Sequence, residues 1–253
     1  MIRSRVPRYS RFLSIGFPEK LTIPRRYLPV NPREAAAAAA ALLKYRPSML
    51  EIVDQTTLKA VQAWHPLGFE VAGSVLLMQL DENFELGDEA INTCKQNSMI
   101  DGMFTTNSAE AIDLIRVRKL AYPALERLGA TLLDDVAIPV TKISEFVSQV
   151  ELLALESSLT IGIFGHAGDG NMHPTIVHDH GDINAQEKAK SAFAKIVQIA
   201  QGLGGTASGE HGIGIIKRDL VVGEISSQII EIQRGIKKLL DPSGIMNPGK
   251  KIP

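Results

Sequence analysis

The chain has 253 residues, 45% of them hydrophobic and 22% charged, and carries a net charge of −1. That is enough apolar material for a sizeable core, and the balanced charge gives no electrostatic case for nucleic-acid binding. A single cysteine, Cys94, excludes an internal disulfide framework, and no apolar run approaches the roughly 18 residues that a membrane-spanning helix needs.

Residues 1–26 carry Arg3, Arg5, Arg8, Arg11, Lys20, Arg25 and Arg26 against one acid, Glu19. A basic, serine-containing, acid-poor start is compatible with a transit peptide. An extended arm is the favoured reading, because Pro7, Pro18, Pro24, Pro29 and Pro32 argue against regular structure there. A helix is expected from Pro32 to Tyr45, with proline at its start and the alanine run Ala35–Ala41 inside it. Met49–Val53 reads as a short strand, Thr56–Trp64 as a helix, Gly73–Leu80 as a strand and Gly87–Gln96 as a helix. A long helix follows over Asn107–Leu128, capped by Asn107 or Ser108. Thr131–Ile138 reads as a strand, and Thr141–Leu155 as a helix with Ile143, Phe146, Val147, Val150 and Leu153 on one face.

Leu159–Phe164 and Met172–Val177 are apolar, β-branched runs separated by turn formers, the pattern of a hairpin with a loop of about five residues. Asn184–Leu203 is strongly amphipathic, with Asn184 and Glu187 resembling a capping pair. A last helix is expected from about Ser226 to Leu240, ended by Asp241-Pro242. Mixed order with a hairpin predicts an α+β fold, an antiparallel sheet with helices packed on one side and a helical C-terminal tail. Two parts are expected: an arm and linker over 1–45, and one globular domain over 46–253.

The chemistry concentrates in two segments, Phe164–Pro174 (FGHAGDGNMHP) and Ser208–Gly214 (SGEHGIG). His166 and His173 bracket a Gly-Asp-Gly-Asn turn. On one unbroken strand their spacing would put them on opposite faces, but at the two ends of a hairpin they can lie side by side. Asp169 and Asn171 can bond the turn backbone or reach into a site. Glycines on both sides of Glu210-His211 suggest close approach of backbone to a ligand. Two imidazoles and a carboxylate are ligands that a borderline divalent metal takes, and three of them leave a position open. His166, His173 and Glu210 are therefore candidate metal ligands, with His211 left to act as a base beside them. The rival reading is plain: packed, hydrogen-bonded core histidines and a surface carboxylate. From the residues alone the two stay equally open. His178-Asp179-His180 reads as a solvated loop. Neither glycine-rich segment fits a dinucleotide or Walker pattern. Periodicity favours a solvated basic face for Arg116, Arg118, Lys119 and Arg127.

The two motifs resemble those in the C-terminal half of flavin-linked D-2-hydroxyacid oxidoreductases, the group of the glycolate oxidase catalytic subunit, cytochrome-type D-lactate dehydrogenase and D-2-hydroxyglutarate dehydrogenase. Leu50–Leu58 (LEIVDQTTL), Arg118–Leu125 (RKLAYPAL), Asp134–Pro139 (DDVAIP) and Leu239–Lys250 (LLDPSGIMNPGK) resemble further segments of that family, in the same order. The resemblance spans roughly residues 45 to 252. It implies ferredoxin-like strand–helix repeats and FAD-dependent oxidation of a D-2-hydroxy acid of the glycolate or D-lactate type. In it Arg118 grips the substrate carboxylate, for which a guanidinium is suited by its bidentate geometry, and Tyr122, one turn on, shares that face. Asn171 and Asn247 are expected to face the flavin. The metal, zinc, manganese or iron, would bind the substrate's hydroxyl and carboxylate, and His211 would take the hydroxyl proton.

Family members carry a flavin-binding domain before this region, so residues 1–45 read as a remnant of that boundary. FAD is then expected to be held mainly by a domain or subunit outside this sequence, with electrons passed to a further acceptor. An uncovered, apolar flavin-facing surface makes a homo-oligomer an expectation too. A cytoplasmic location, peripheral to a membrane at most, is expected, with mitochondrial targeting the alternative. Two other functions compete: a metal-dependent hydrolase, which the lack of a helical HExxH pair weakens, and a non-catalytic subunit or orphan domain.

Overall fold

The computed structural model describes residues 11–16, 33–66, 71, 73–81, 86–97, 101–105 and 107–251. Along the chain run β1 (Arg11–Gly16), α1 (Arg33–Leu42), β2 (Met49–Val53), α2 (Gln55–Trp64), β3 (Val75–Leu80), α3 (Gly87–Lys95), β4 (Asp101–Thr105) and α4 (Ser108–Glu126). Then come β5 (Ala130–Leu133), β6 (Val136–Ala137), α5 (Ile143–Ser157), β7 (Thr160–His166), β8 (Asn171–His178), α6 (Ile183–Gly202) and α7 (Ser227–Leu240). All the strands join one sheet in the order β4-β1-β3-β2-β7-β8-β5, with β6 pairing on β8 beside β5. Every pairing is antiparallel.

That order is two split β-α-β units laid edge to edge. In the first, β4-β1-β3-β2, helix α1 links β1 to β2 and α3 links β3 to β4. The second repeats the plan with β5, α5, β7, β8 and α6, and has no fourth strand among the described residues. The seam is the pairing of β2 with β7, where Glu51 stands opposite His166 and Val53 opposite Phe164.

The mixed helix and antiparallel-sheet class expected from the sequence holds, but the helices cover both faces of the sheet. Leu50, Ile52, Leu76, Met78, Ile161, Ile163, Met172 and Ile176 point to one face and pack with α1, α3, α5 and α6. Val53, Val75, Leu77, Phe164 and Val177 point to the other, under α2 and α4. The cause is visible in β3, where Val75, Leu76, Leu77 and Met78 are four consecutive apolar, buried residues rather than an alternating pattern, as a strand buried on both faces requires. The alanines of α1 belong to the same logic. Ala35, Ala36, Ala38 and Ala39 are fully buried, and their small side chains let that helix lie close against its neighbours.

Helix boundaries follow local capping. The Asp54 side chain accepts from the Thr57 amide at 2.9 Å to start α2, Asn107 caps α4 through Ala109, and Ser226 caps α7 through Ile229. At α6 the cap is Asp182, which accepts from the Asn184 and Ala185 amides, not Asn184 itself. Two strands were not expected, β1 and β4. Of the basic segment 1–26, only Arg11–Gly16 lies within the described residues, and it forms a strand between β3 and β4 despite the prolines around it. The strand expected over Thr131–Ile138 is broken at Asp134-Asp135, which separate β5 from β6. No described helix is long and apolar enough to cross a membrane.

Candidate metal and substrate site

The β7–β8 hairpin turns through Ala167-Gly168-Asp169-Gly170. Gly170 has φ +85°, and a Cβ there would come within 1.9 Å of the Ile138 carbonyl oxygen, so this position tolerates only glycine. The tight turn sets the register: His166 pairs with Asn171 and Phe164 with His173. Side chains directly opposite or two apart along a strand share a face. His166, Phe164, Asn171 and His173 therefore all point to the α2/α4 side, and Glu51 of β2 joins them beside His166. The two histidine rings meet edge to face, centroids 5.4 Å apart.

The segment Ser208–His211 comes over this row. It is held by one buried carboxylate, Asp135, in the gap between β5 and β6. Asp135 accepts from the Ser208 hydroxyl at 3.0 Å and from the Gly209, Glu210 and His211 amides at 3.0, 3.1 and 2.9 Å. These bonds hold its carboxyl below the usual carboxylate range against burial, which acts the other way. Lys217 is buried beside it, paired with Asp134 at 2.9 Å and donating to the Asp135 carbonyl. Gly209 is pressed against Asn171, whose Oδ1 would lie 2.1 Å from a Cβ there. The close approach that this glycine-rich segment makes is to the hairpin.

These constraints bring His166, His173 and Glu210 together. Glu210 Oε1 lies 3.7 Å from His166 Nε2 and 3.4 Å from His173 Nε2. All three ligand atoms fall within 4.8 Å of one another. A tetrahedral ion at about 2.0–2.2 Å from each donor would set donor–donor edges of roughly 3.3–3.6 Å, so the arrangement is close to the size a divalent cation requires. His173 is buried, and burial, with Arg118 and His166 nearby, pushes it down to about 4. It is a neutral imidazole at ordinary pH, the form that ligates. Its Nδ1 has no hydrogen-bond partner and lies 3.9 Å from Asp135 Oδ1. Metal-bound histidines commonly give that second nitrogen's proton to a carboxylate. The donor set and this orphaned nitrogen both fit a cation.

His211 lies at the open side, half exposed. Its ring stacks on His173 with centroids 5.2 Å apart, and its Nε2 is 3.5 Å from Glu210 Oε1. Asp135, His173 and His211 form a second group of metal-binding type, but it shares His173 with the first. Arg118 of α4 reaches the same face. Its Nε donates to Glu51 Oε2 at 2.6 Å and its guanidinium stacks over the Phe164 ring at 4.7 Å. It does not belong to the solvated basic face that periodicity alone suggested. Glu51 Oε1 is 2.5 Å from His166 Nδ1, and that hydrogen bond raises the pKa of His166.

Of the other expected residues, Asn171 lies in this row and the rest lie outside it. The Tyr122 hydroxyl is taken by Thr131 at 3.2 Å. Asn171 is buried in the row with Oδ1 unpartnered. Asn247 sits on the C-terminal tail, exposed, with φ 48°. His178 is bonded to the Asp179 carbonyl at the far end of β8. Sequence reasoning missed Glu51, Asp135 and Lys217. The first two lay inside segments already noted, Glu51 in an apolar strand and Asp135 in an aspartate pair between two strands, which is a weak signal for a site.

Residues 30–251 match the family described as FAD linked oxidases, C-terminal domain. The chain is 35% identical over 215 residues to the glycolate oxidase subunit GlcD of Bacillus subtilis, covering 82% of this chain and 45% of that protein. It is 34% identical over 181 residues to D-lactate dehydrogenase of Archaeoglobus fulgidus, covering 71% of this chain and 40% of that protein. The chain thus spans less than half the length of these relatives. Among solved structures, p-cresol methylhydroxylase with substrate bound superposes with a TM-score of 0.66 at 12% identity, over 96% of this chain and 52% of that one. A likeness at that identity speaks for the fold alone.

Proposed function

The chain belongs to the family of FAD-linked oxidase C-terminal domains, and from that premise we propose that it supplies the substrate and metal half of an enzyme oxidising a D-2-hydroxy acid to the 2-oxo acid. Two named relatives, a glycolate oxidase subunit and a D-lactate dehydrogenase, support a small 2-hydroxy acid as substrate. The observation that carries the reading is the convergence of His166, His173 and Glu210 beside an arginine held by Glu51. Those three residues would hold a divalent cation, and zinc, manganese and iron all suit the donors. When bound, the cation supplies Lewis-acid polarisation of the substrate's hydroxyl and carboxylate. FAD supplies the hydride acceptor, and we propose that a flavin-binding domain or subunit outside residues 1–253 holds it, with Asn171 and Asn247 facing it.

The chain's own residues do the rest. Arg118 binds and orients the substrate carboxylate with the outer nitrogens of its guanidinium. His211 takes the proton from the substrate hydroxyl as hydride leaves the neighbouring carbon. Its half-exposed ring, stacked on His173, suits that task, because it borders both the candidate ligands and solvent. Asp135 keeps the Glu210-His211 backbone in place, so that one side chain can ligate while the next stays free.

The test is an assay of glycolate, D-lactate and L-lactate with an artificial electron acceptor, using this chain together with its flavin-binding part. Activity on a D-2-hydroxy acid, abolished by a chelator and restored by zinc or manganese, is expected. Residues 1–253 alone are expected to emerge from gel filtration without stoichiometric FAD. Activity that survives complete metal removal would contradict the metal half of the proposal.

A further inference from the structure

The structure assigns to Glu51 a positioning role that joins the two halves of the site: it fixes the proton of His166 and the orientation of Arg118 at once. This rests on the metal reading above. Glu51 lies on β2, directly across the seam from His166, and its side chain is buried. Each of its oxygens takes one donor. Oε1 faces His166 Nδ1 at 2.5 Å, and Oε2 accepts from Arg118 Nε at 2.6 Å.

Two consequences follow from hydrogen-bond inventory. Arg118 Nε–H can only donate, so it must face an acceptor. His166 Nδ1 next to a carboxylate oxygen must carry the proton, which leaves the Nε2 lone pair free on the side of His173 and Glu210. That is the tautomer a metal ligand needs, held by a carboxylate on the remote nitrogen. On the other side, the bond to Nε and the stack on Phe164 fix the guanidinium plane, with the Nη pair left for an anion. The gap between candidate cation and guanidinium is thereby set by a single buried carboxylate.

Replacing this carboxylate by its amide isostere makes a sharp prediction. In Glu51→Gln the amide oxygen must turn to Arg118, because Nε–H cannot accept. The NH2 group then faces His166 Nδ1, which becomes an acceptor, and the ring proton moves to Nε2, blocking ligation. The fold has no reason to change, since the side-chain volume is the same.

The experiment has two readouts on the metal-free protein of residues 1–253. Long-range 1H–15N correlation spectra of histidine-labelled protein, taken where the His166 ring is neutral, report which nitrogen carries the proton. Calorimetric titration with Zn2+ reports affinity, for wild type, His166→Ala and Glu51→Gln. The wild type should show His166 protonated on Nδ1, and Glu51→Gln should show it on Nε2, with Zn2+ binding weakened by about 10- to 100-fold. Unchanged tautomer and affinity in Glu51→Gln would overturn the role of Glu51 while leaving the metal reading intact. Failure of the wild type to bind Zn2+, or unweakened binding in His166→Ala, would instead sink the metal reading and this inference with it. If Glu51→Gln does not fold, the wild-type spectrum decides, because an Nε2-protonated His166 there overturns the assignment.

Discussion

Glu210 and His211 are neighbours in sequence with different proposed tasks, and the geometry allows it. Both amides are tied to Asp135, at 3.1 and 2.9 Å, so the backbone that carries the two side chains is fixed. Glu210 Oε1 stands between the three histidine Nε2 atoms. His211 keeps its ring at the open side. In the assembled enzyme, His211→Ala should retain metal while kcat falls at least about 10²-fold, the usual size of a general-base contribution. Glu210→Ala should lose metal, with activity partly recovered at high metal concentration. Metal analysis alongside steady-state kinetics separates the two, and metal lost from the histidine variant but kept in the glutamate variant would exchange their roles. The histidines and Glu210 stood out in the sequence because glycine-rich stretches flank them. Glu51 and Asp135 did not, because what makes them functional is cross-strand register and a loop folding back from about 75 residues away. Nothing local in LEIVD or DDVAIP records that.

At the scale of elements, α2 starts at the seam and its start carries a stored cost. Its capping carboxylate, Asp54, is buried, and burial pushes it up to about 6 despite the amide bonds that favour its charge. The folded state therefore holds this proton more tightly than the unfolded chain. The stability gained by that protonation is fully present below the ordinary value of 3.8 and is lost as pH rises through about 6. Asn caps a helix as well as Asp does and does not ionise. Asp54→Asn should accordingly be more stable than wild type at about pH 8, by on the order of 1–3 kcal/mol, with the gain shrinking towards about pH 4. Paired thermal melts at the two pH values check this, and a variant less stable than wild type at the higher pH would contradict it. Most elements were legible from periodicity and caps. The exceptions have physical reasons: β1 lies in a segment dominated by arginine and proline, and β5 and β6 are parted by two aspartates that anchor another segment instead of continuing the ladder.

For the whole molecule, both sheet faces are covered, yet α7 and the tail after it leave a broad apolar surface open. Ile229, Ile232, Ile236, Leu239 and Leu240 are all exposed, as are Ile245 and Met246 beyond the helix. An amphipathic helix whose apolar stripe faces solvent draws little stability from the body of the fold. The double variant Ile232→Glu, Ile236→Glu should therefore change stability by no more than about 0.5 kcal/mol and should reduce any self-association of the isolated chain. Denaturant unfolding and analytical ultracentrifugation measure the two effects, and a loss of several kcal/mol would mean that α7 is part of the core.

The central claim is that two histidines from one hairpin and a glutamate from a returning loop make one cation site. Anomalous diffraction from crystals of the chain grown with Mn2+ or Zn2+ tests it most directly. The account predicts one strong peak about 2.0–2.2 Å from His166 Nε2, His173 Nε2 and a Glu210 carboxylate oxygen, with His211 outside the coordination sphere. A peak confined to His178 and His180, or none at all with the metal in excess, would contradict it.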